Sequence, residues 1–281
     1  MTAPARAHRK RPDRCGRLIC QLKTCLAAAI TVTAIALAPA ATAQTLITLV
    51  PVQEQVTLRG PTRAEGVVIW SHGRSVEVED SLAPTPEYIG EMRKAGWDTF
   101  RLNRLRAGDT LPASGAALAT YAEQFKASGY HRVVLAGQSF GAFISLIAAG
   151  RSGAVDAVIG TAPAAYGNFE DSYDTFRLNA TKLYELLENV RRARVALVFF
   201  HGDEFDPGGR GDHALEILAR RDLPSLVIDQ PARLVSHWAA SSHAFTTRFA
   251  DCLTSFAALD AGHGSLSCDN LLTTKRVAGL P

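Results

Sequence analysis

The chain carries 30 Lys and Arg against 27 Asp and Glu over 281 residues, but seven of the basic residues and only one acid, Asp13, fall in the first 43. The remaining 238 residues hold 23 basic and 26 acidic side chains, enough chain for one α/β domain with a substantial core. This mildly acidic balance, with no basic patch interleaved with aromatics, excludes an electrostatic case for nucleic acid.

In chain order, Arg6, Arg9, Lys10, Arg11, Arg14, Arg17 and Lys23 make a basic start. Leu26 to Leu37 follows as an apolar stretch too short to span a bilayer, and Ala41-Thr42-Ala43 is a small-x-small cleavage site. Residues 1–43 are therefore expected to be a bacterial secretory signal and Gln44 the first residue of a periplasmic or secreted protein, with no stable membrane insertion after cleavage. An uncleaved anchor is the alternative reading.

From Thr45 the pattern alternates strand and helix, which argues for a mainly parallel sheet with helices on both faces. Short β segments are predicted at Thr45 to Val50 and Glu54 to Leu58, then a buried strand at Val67 to Trp70, a helix near Pro86 to Ala95 and a strand at Asp98 to Leu102. A helix at Ala113 to Ala127 and a strand at Arg132 to Ala136 come next. After a helix over Ala142 to Ala149 the pattern predicts a strand at Ala154 to Gly160. An irregular stretch then runs from Thr161 to about Asn179, before a helix ending near Arg192. The strand Val195 to Phe200, the helix Gly211 to Arg220, the strand Pro224 to Ile228 and the helix Phe245 to Ala258 close the domain, with a tail from about residue 259. Cys15, Cys20 and Cys25 belong to the leader. The even pair that remains, Cys252 and Cys268, is expected to be bonded in an oxidising compartment, two separate thiols being the alternative. No His and Cys grouping suggests a zinc site.

Gly137-Gln138-Ser139-Phe140-Gly141 fits G-x-S-x-G and stands between a predicted strand and a predicted helix, the context in which that pattern makes a sharp turn exposing its serine. A serine hydroxyl is a weak nucleophile at neutral pH, so Ser139 needs a histidine base and a carboxylate to orient it. The strand Val195 to Phe200 runs into His201-Gly202-Asp203-Glu204-Phe205-Asp206-Pro207, where Asp203, Glu204 and Asp206 are acid candidates. His243 lies on a loop just before the last helix at the same sheet edge. His237 competes with it, but stands six residues earlier with no helix directly after, so position and order favour His243 as the base.

With His72-Gly73 after the Val67 strand, the GQSFG turn, His201-Gly202 with Asp206-Pro207, and Ser242-His243 before a closing helix, residues 65–258 resemble the α/β-hydrolases, in particular the compact dienelactone-hydrolase-like and esterase-like members. The resemblance implies an α/β-hydrolase fold with a short cap and a Ser139, His243, Asp206 triad acting through an acyl-enzyme. One extra residue between His201-Gly202 and the Asp-Pro pair leaves Asp203 as the alternative acid. The resemblance also implies an oxyanion hole from the backbone N–H groups of Phe140 and Arg74. The Arg74 side chain is expected to meet an anionic substrate group or to pair with a carboxylate such as Glu77 or Glu79. Tyr166, Phe169, Tyr173 and Phe176 stand where a cap would be, and either flank a substrate or pack the following helix onto the sheet. His72, Tyr166 and Phe205 are candidate substrate contacts. The expected substrate is a small ester or other acyl compound, with no cofactor and no metal. A peptidase, amidase or thioesterase would use the same residues, and a non-catalytic binding protein on the same scaffold would not need them.

Overall fold

The structure, a computed structural model, describes residues 47–52, 57–74, 84–166, 173–206, 208–260 and 264–277. The expected signal segment, Gln44, Glu77, Glu79, Phe169 and Pro207 lie outside these residues, as do the side chains of Tyr173 and Phe176. The expected strand Glu54 to Leu58 is described only at Thr57 and Leu58, which are not in a strand.

Runs of β-branched and aliphatic residues make strands β1 (Ile47–Pro51), β2 (Val67–Ser71), β3 (Asp98–Arg104), β4 (Val133–Gln138), β5 (Ala157–Thr161), β6 (Arg194–Phe199), β7 (Ser225–Asp229) and β8 (Ser265–Leu266). They form one sheet in the order β1-β3-β2-β4-β5-β6-β7-β8, parallel throughout except for β1 against β3. Helices α1 (Glu87–Lys94), α2 (Leu111–Ala127), α3 (Phe140–Arg151), α4 (Tyr173–Asn189), α5 (Arg210–Arg220), α6 (His243–Ala258) and α7 (Cys268–Val277) cover both faces.

Strand periodicity sorts the core. Val67, Ile69, Val133 and Leu135 point to one face, where α2, α3, α4 and α5 bring Leu118, Phe143, Leu187 and Leu218. Val68, Trp70, Val134 and Ala136 point to the other, where α1 and α6 bring Tyr88, Met92, Phe245 and Phe256. Because β2 and β4 are neighbours whose following strands lie on opposite sides, the loops leaving their carboxyl ends diverge and open a crevice, the place where such sheets bind ligands.

Three further elements differ from expectation. Helix α4 already starts at Tyr173, inside the stretch read as irregular, and the tail adds β8 alongside β7 and α7 after it. Period-2 or period-3.6 patterning is too short in Ser265–Leu266 to signal a strand, and among the described side chains of α7 Leu271 joins the buried core. Its first residue, Cys268, is bonded to Cys252 of α6 as expected, with the Cα atoms 5.2 Å apart.

Candidate active site

Ser139 sits at the junction of β4 and α3 with φ 56° and ψ −120°, a strained conformation for a residue with a side chain. The turn is possible because its flanking glycines carry no Cβ. A methyl group at Gly141 would collide with the Ser71 carbonyl of β2, and one at Gly137 would collide with Gly141 itself. This is the geometry that G-x-S-x-G implied. Phe140 opens α3, so its N–H lies in the first turn, where no helical carbonyl precedes it, and the helix dipole adds positive potential beside the serine.

The loop after β2 forms the other wall. A Cβ on Gly73 would stand 3.2 Å from Ser139 Cβ and 2.5 Å from Gln138 Oε1, so this backbone packs directly on the turn. Behind it lies a buried polar cluster that sequence reasoning missed. Arg104, at the end of β3 and fully buried, donates from Nε to Asp109 Oδ1 at 3.0 Å and from Nη2 to the carbonyls of His72 and Gly73 at 2.8 and 3.2 Å. Ser114 Oγ donates to the same Asp109 oxygen at 2.7 Å. Burial holds the Arg104 guanidinium below the usual arginine range, against the upward pull of Asp109. Arg74 turns its side chain to this cluster as well, donating from Nη1 to the Asp109 carbonyl at 2.7 Å. The guanidinium carbons of Arg74 and Arg104 lie 5.6 and 5.5 Å from the centre of the Phe140 ring. The Arg74 Nε also lies 4.0 Å from the Asp109 carboxylate.

On the far side of the crevice the structure pairs His237 with Asp203. His237 Nδ1 and Asp203 Oδ1 are 2.8 Å apart, with both side chains at most 2% exposed. Asp203 follows β6 within four residues and is fixed by its own turn, its Oδ1 accepting from the Phe205 N–H at 2.9 Å. Gln138, directly before the serine, donates from Nε2 to the His237 carbonyl at 3.3 Å, which ties the histidine loop to the turn at Ser139. The Phe205 ring lies 4.4 Å from the His237 ring, and Trp238 stacks near His72 at 6.2 Å. Among the described residues, His237 Nε2 and Ser139 Oγ carry no hydrogen bond.

The structure does not bring His243 and Asp206 to this place. His243 is the first residue of α6, its side chain 82% exposed, with Nδ1 2.9 Å from Glu87 of α1 and Nε2 3.3 Å from Thr247 Oγ1. Asp206 is buried against Arg210 of α5, Oδ2 to Nε 2.8 Å, and Arg210 reaches on to the Pro163 carbonyl at 2.8 Å, so this acid joins its loop to α5 and to the loop after β5. Of the other expected contacts, Phe205 packs on the His237 ring. His72 is buried with Nδ1 3.0 Å from the Gly73 carbonyl, and the Tyr166 backbone is held by Asn179 of α4. Among the described residues no group of three His, Cys, Asp or Glu could hold a metal ion, and no helix is long and apolar enough to cross a membrane.

A mostly parallel sheet with a serine on a strained β4–α3 turn and a histidine and carboxylate beyond later strands defines the class: the chain has the α/β-hydrolase fold. No protein-family model and no curated protein matches its sequence, so the likeness is one of structure. It is similar to the monoacylglycerol lipase of Paleococcus ferrophilus, with TM-score 0.54 and 12% identity over 75% of this chain and 98% of that one. It is also similar to the acylaminoacyl peptidase of Pyrococcus horikoshii, with TM-score 0.56 and 12% identity over 75% of this chain. A puromycin-hydrolyzing peptidase of Mycobacterium tuberculosis matches with TM-score 0.53 and 13% identity over 78% of this chain. The match spans only 40% and 39% of those two peptidases.

Proposed function

We propose that the protein is a secreted serine hydrolase that cleaves a carboxylic ester, with Ser139 as nucleophile, His237 as general acid and base, and Asp203 as the orienting acid. The observation that carries this reading is the buried His237 and Asp203 pair tied by Gln138 to the strained serine turn. In the reaction, His237 Nε2 takes the Ser139 proton as the oxygen attacks the substrate carbonyl. The Phe140 and Arg74 N–H groups receive the developing oxyanion. The imidazolium, stabilised by Asp203, then gives its proton to the leaving alcohol. Water repeats the sequence on the acyl-serine, with His237 again as base, and releases the acid. A hydrogen bond from Ser139 to His237 that forms only with substrate bound suits this assignment, since catalytic contacts often tighten in the complex.

Val235 and Trp238 are large apolar side chains more than half exposed, at 56% and 52%, and flank His237, so the rim suits the apolar part of a small substrate. The peptidase names among the similar structures keep an amide bond as the second reading. Residues 1–43 are proposed to direct export, with Gln44 as the first residue of the mature protein. Short-chain p-nitrophenyl esters test the function. Wild-type protein should turn them over, and Ser139→Ala should lose at least about 10,000-fold in rate while staying folded. A mutant retaining a few per cent of wild-type turnover would contradict the nucleophile assignment.

A further inference from the structure

Resting on that esterase reading, we infer that Arg104 is a positioning residue, which aims the Arg74 N–H at the oxyanion by gripping the other end of the same peptide unit. The Gly73 carbonyl and the Arg74 N–H belong to one planar trans peptide and point in opposite directions. Fixing the carbonyl therefore fixes the line of the N–H. Arg104 Nη2 donates to that carbonyl at 3.2 Å and to the His72 carbonyl before it at 2.8 Å, so two successive peptide planes are held from one guanidinium. His72 Nδ1 reaches the Gly73 carbonyl as well, at 3.0 Å. The guanidinium cannot swing away, because Asp109 holds its Nε at 3.0 Å and is itself held by Ser114. Gly73 lies against Ser139 Cβ and Gln138, so a small rotation of this peptide would move the donor relative to the reacting carbon. A charged donor on the carbonyl also polarises the peptide and makes its N–H the stronger donor.

Arg104 touches neither substrate nor reacting atoms in this scheme, so the test must read oxyanion stabilisation itself. A thionoester places sulfur, a poor hydrogen-bond acceptor, where the ester oxygen would become the oxyanion. The ratio of kcat/KM for an ester to that for its thionoester therefore reports how well the hole is aimed. Arg104→Met takes the closest cation from the buried Asp109 and risks the fold, so Arg104→Lys, which keeps the charge but not the forked geometry, is measured beside it, with circular dichroism and Tm on both. The ratio should fall about 10-fold or more in Arg104→Met and about 3-fold or more in Arg104→Lys, mainly through kcat on the ester, since a lost oxyanion donor costs about 100-fold or more and a misaimed one less. Lost stability alone would lower both substrates equally and leave the ratio unchanged. A folded Arg104→Lys with an unchanged ratio overturns the inference while the esterase reading stands. If wild-type protein fails to hydrolyse the ester, or Ser139→Ala still does, the esterase reading fails and carries this inference with it.

Discussion

Among the described residues, two of the histidine–carboxylate pairs have nearly the same geometry. His237 and Asp203 are 2.8 Å apart and buried beside the serine turn; His243 and Glu87 are 2.9 Å apart on the outside of α6 and α1. Distance does not separate them, and surroundings do. The buried pair is screened from solvent, so the carboxylate holds one tautomer and can stabilise an imidazolium. The exposed pair is screened by water and counterions and contributes little beyond a surface ion pair. The two aspartates after β6 teach the same lesson from the acid side. Asp203 and Asp206 stand three residues apart and both are buried, but one faces a histidine and the other an arginine.

The acid comparison can be broken by exchange of each carboxylate for its amide. Asp203→Asn should lower kcat/KM by about 10,000-fold with little change in Tm, because the amide favours the wrong tautomer. Asp206→Asn should instead leave the buried Arg210 without its counter-charge. It is expected to destabilise by about 3 kcal/mol, lowering Tm by roughly 10 °C while activity at low temperature persists. Thermal melts and initial rates on the two variants decide this, and a reversed ranking would return the acid role to Asp206.

A smaller effect sharpens the link between the turn and the buried pair. Gln138→Ala removes the contact to the His237 carbonyl and should lower kcat by about 10-fold with KM little changed, as expected when a catalytic group is displaced slightly. A raised KM with kcat unchanged would indicate that Gln138 binds substrate instead. The smallest catalytic effect is expected at the disulfide that joins α6 to α7. Cys252→Ala with Cys268→Ala should lower stability by about 3 kcal/mol for a bridge of sequence separation 16, with the rate at moderate temperature unchanged. Thermal unfolding with and without reductant measures it.

Most of the sheet was legible because β2, β4, β5 and β6 are mainly apolar runs buried on both faces. The serine turn was legible because its glycines answer to a steric need written in the sequence. The proposed base was not, because sequence position favours the histidine that stands directly before a helix. Between His237 and α6 the structure instead inserts a single 3₁₀ turn, Ala239–Ser241. One signal could have corrected it. His243, Thr247 and Asp251 recur every four residues on the polar stripe of α6, opposite Phe245, Phe249 and Phe256, and a residue on that stripe faces solvent. Arg104 and Asp109 meet within five residues, but the Gly73 carbonyl joins them only because β2 pairs with β3.

The most direct test places His237→Ala beside His243→Ala, with kcat/KM on a short-chain p-nitrophenyl ester and Tm recorded for each. His237→Ala should lose at least about 10,000-fold while remaining folded, and His243→Ala should stay within about two-fold of wild type. A folded His237→Ala that keeps its activity, or a His243→Ala that loses it, would contradict the assignment of the buried pair as the catalytic one.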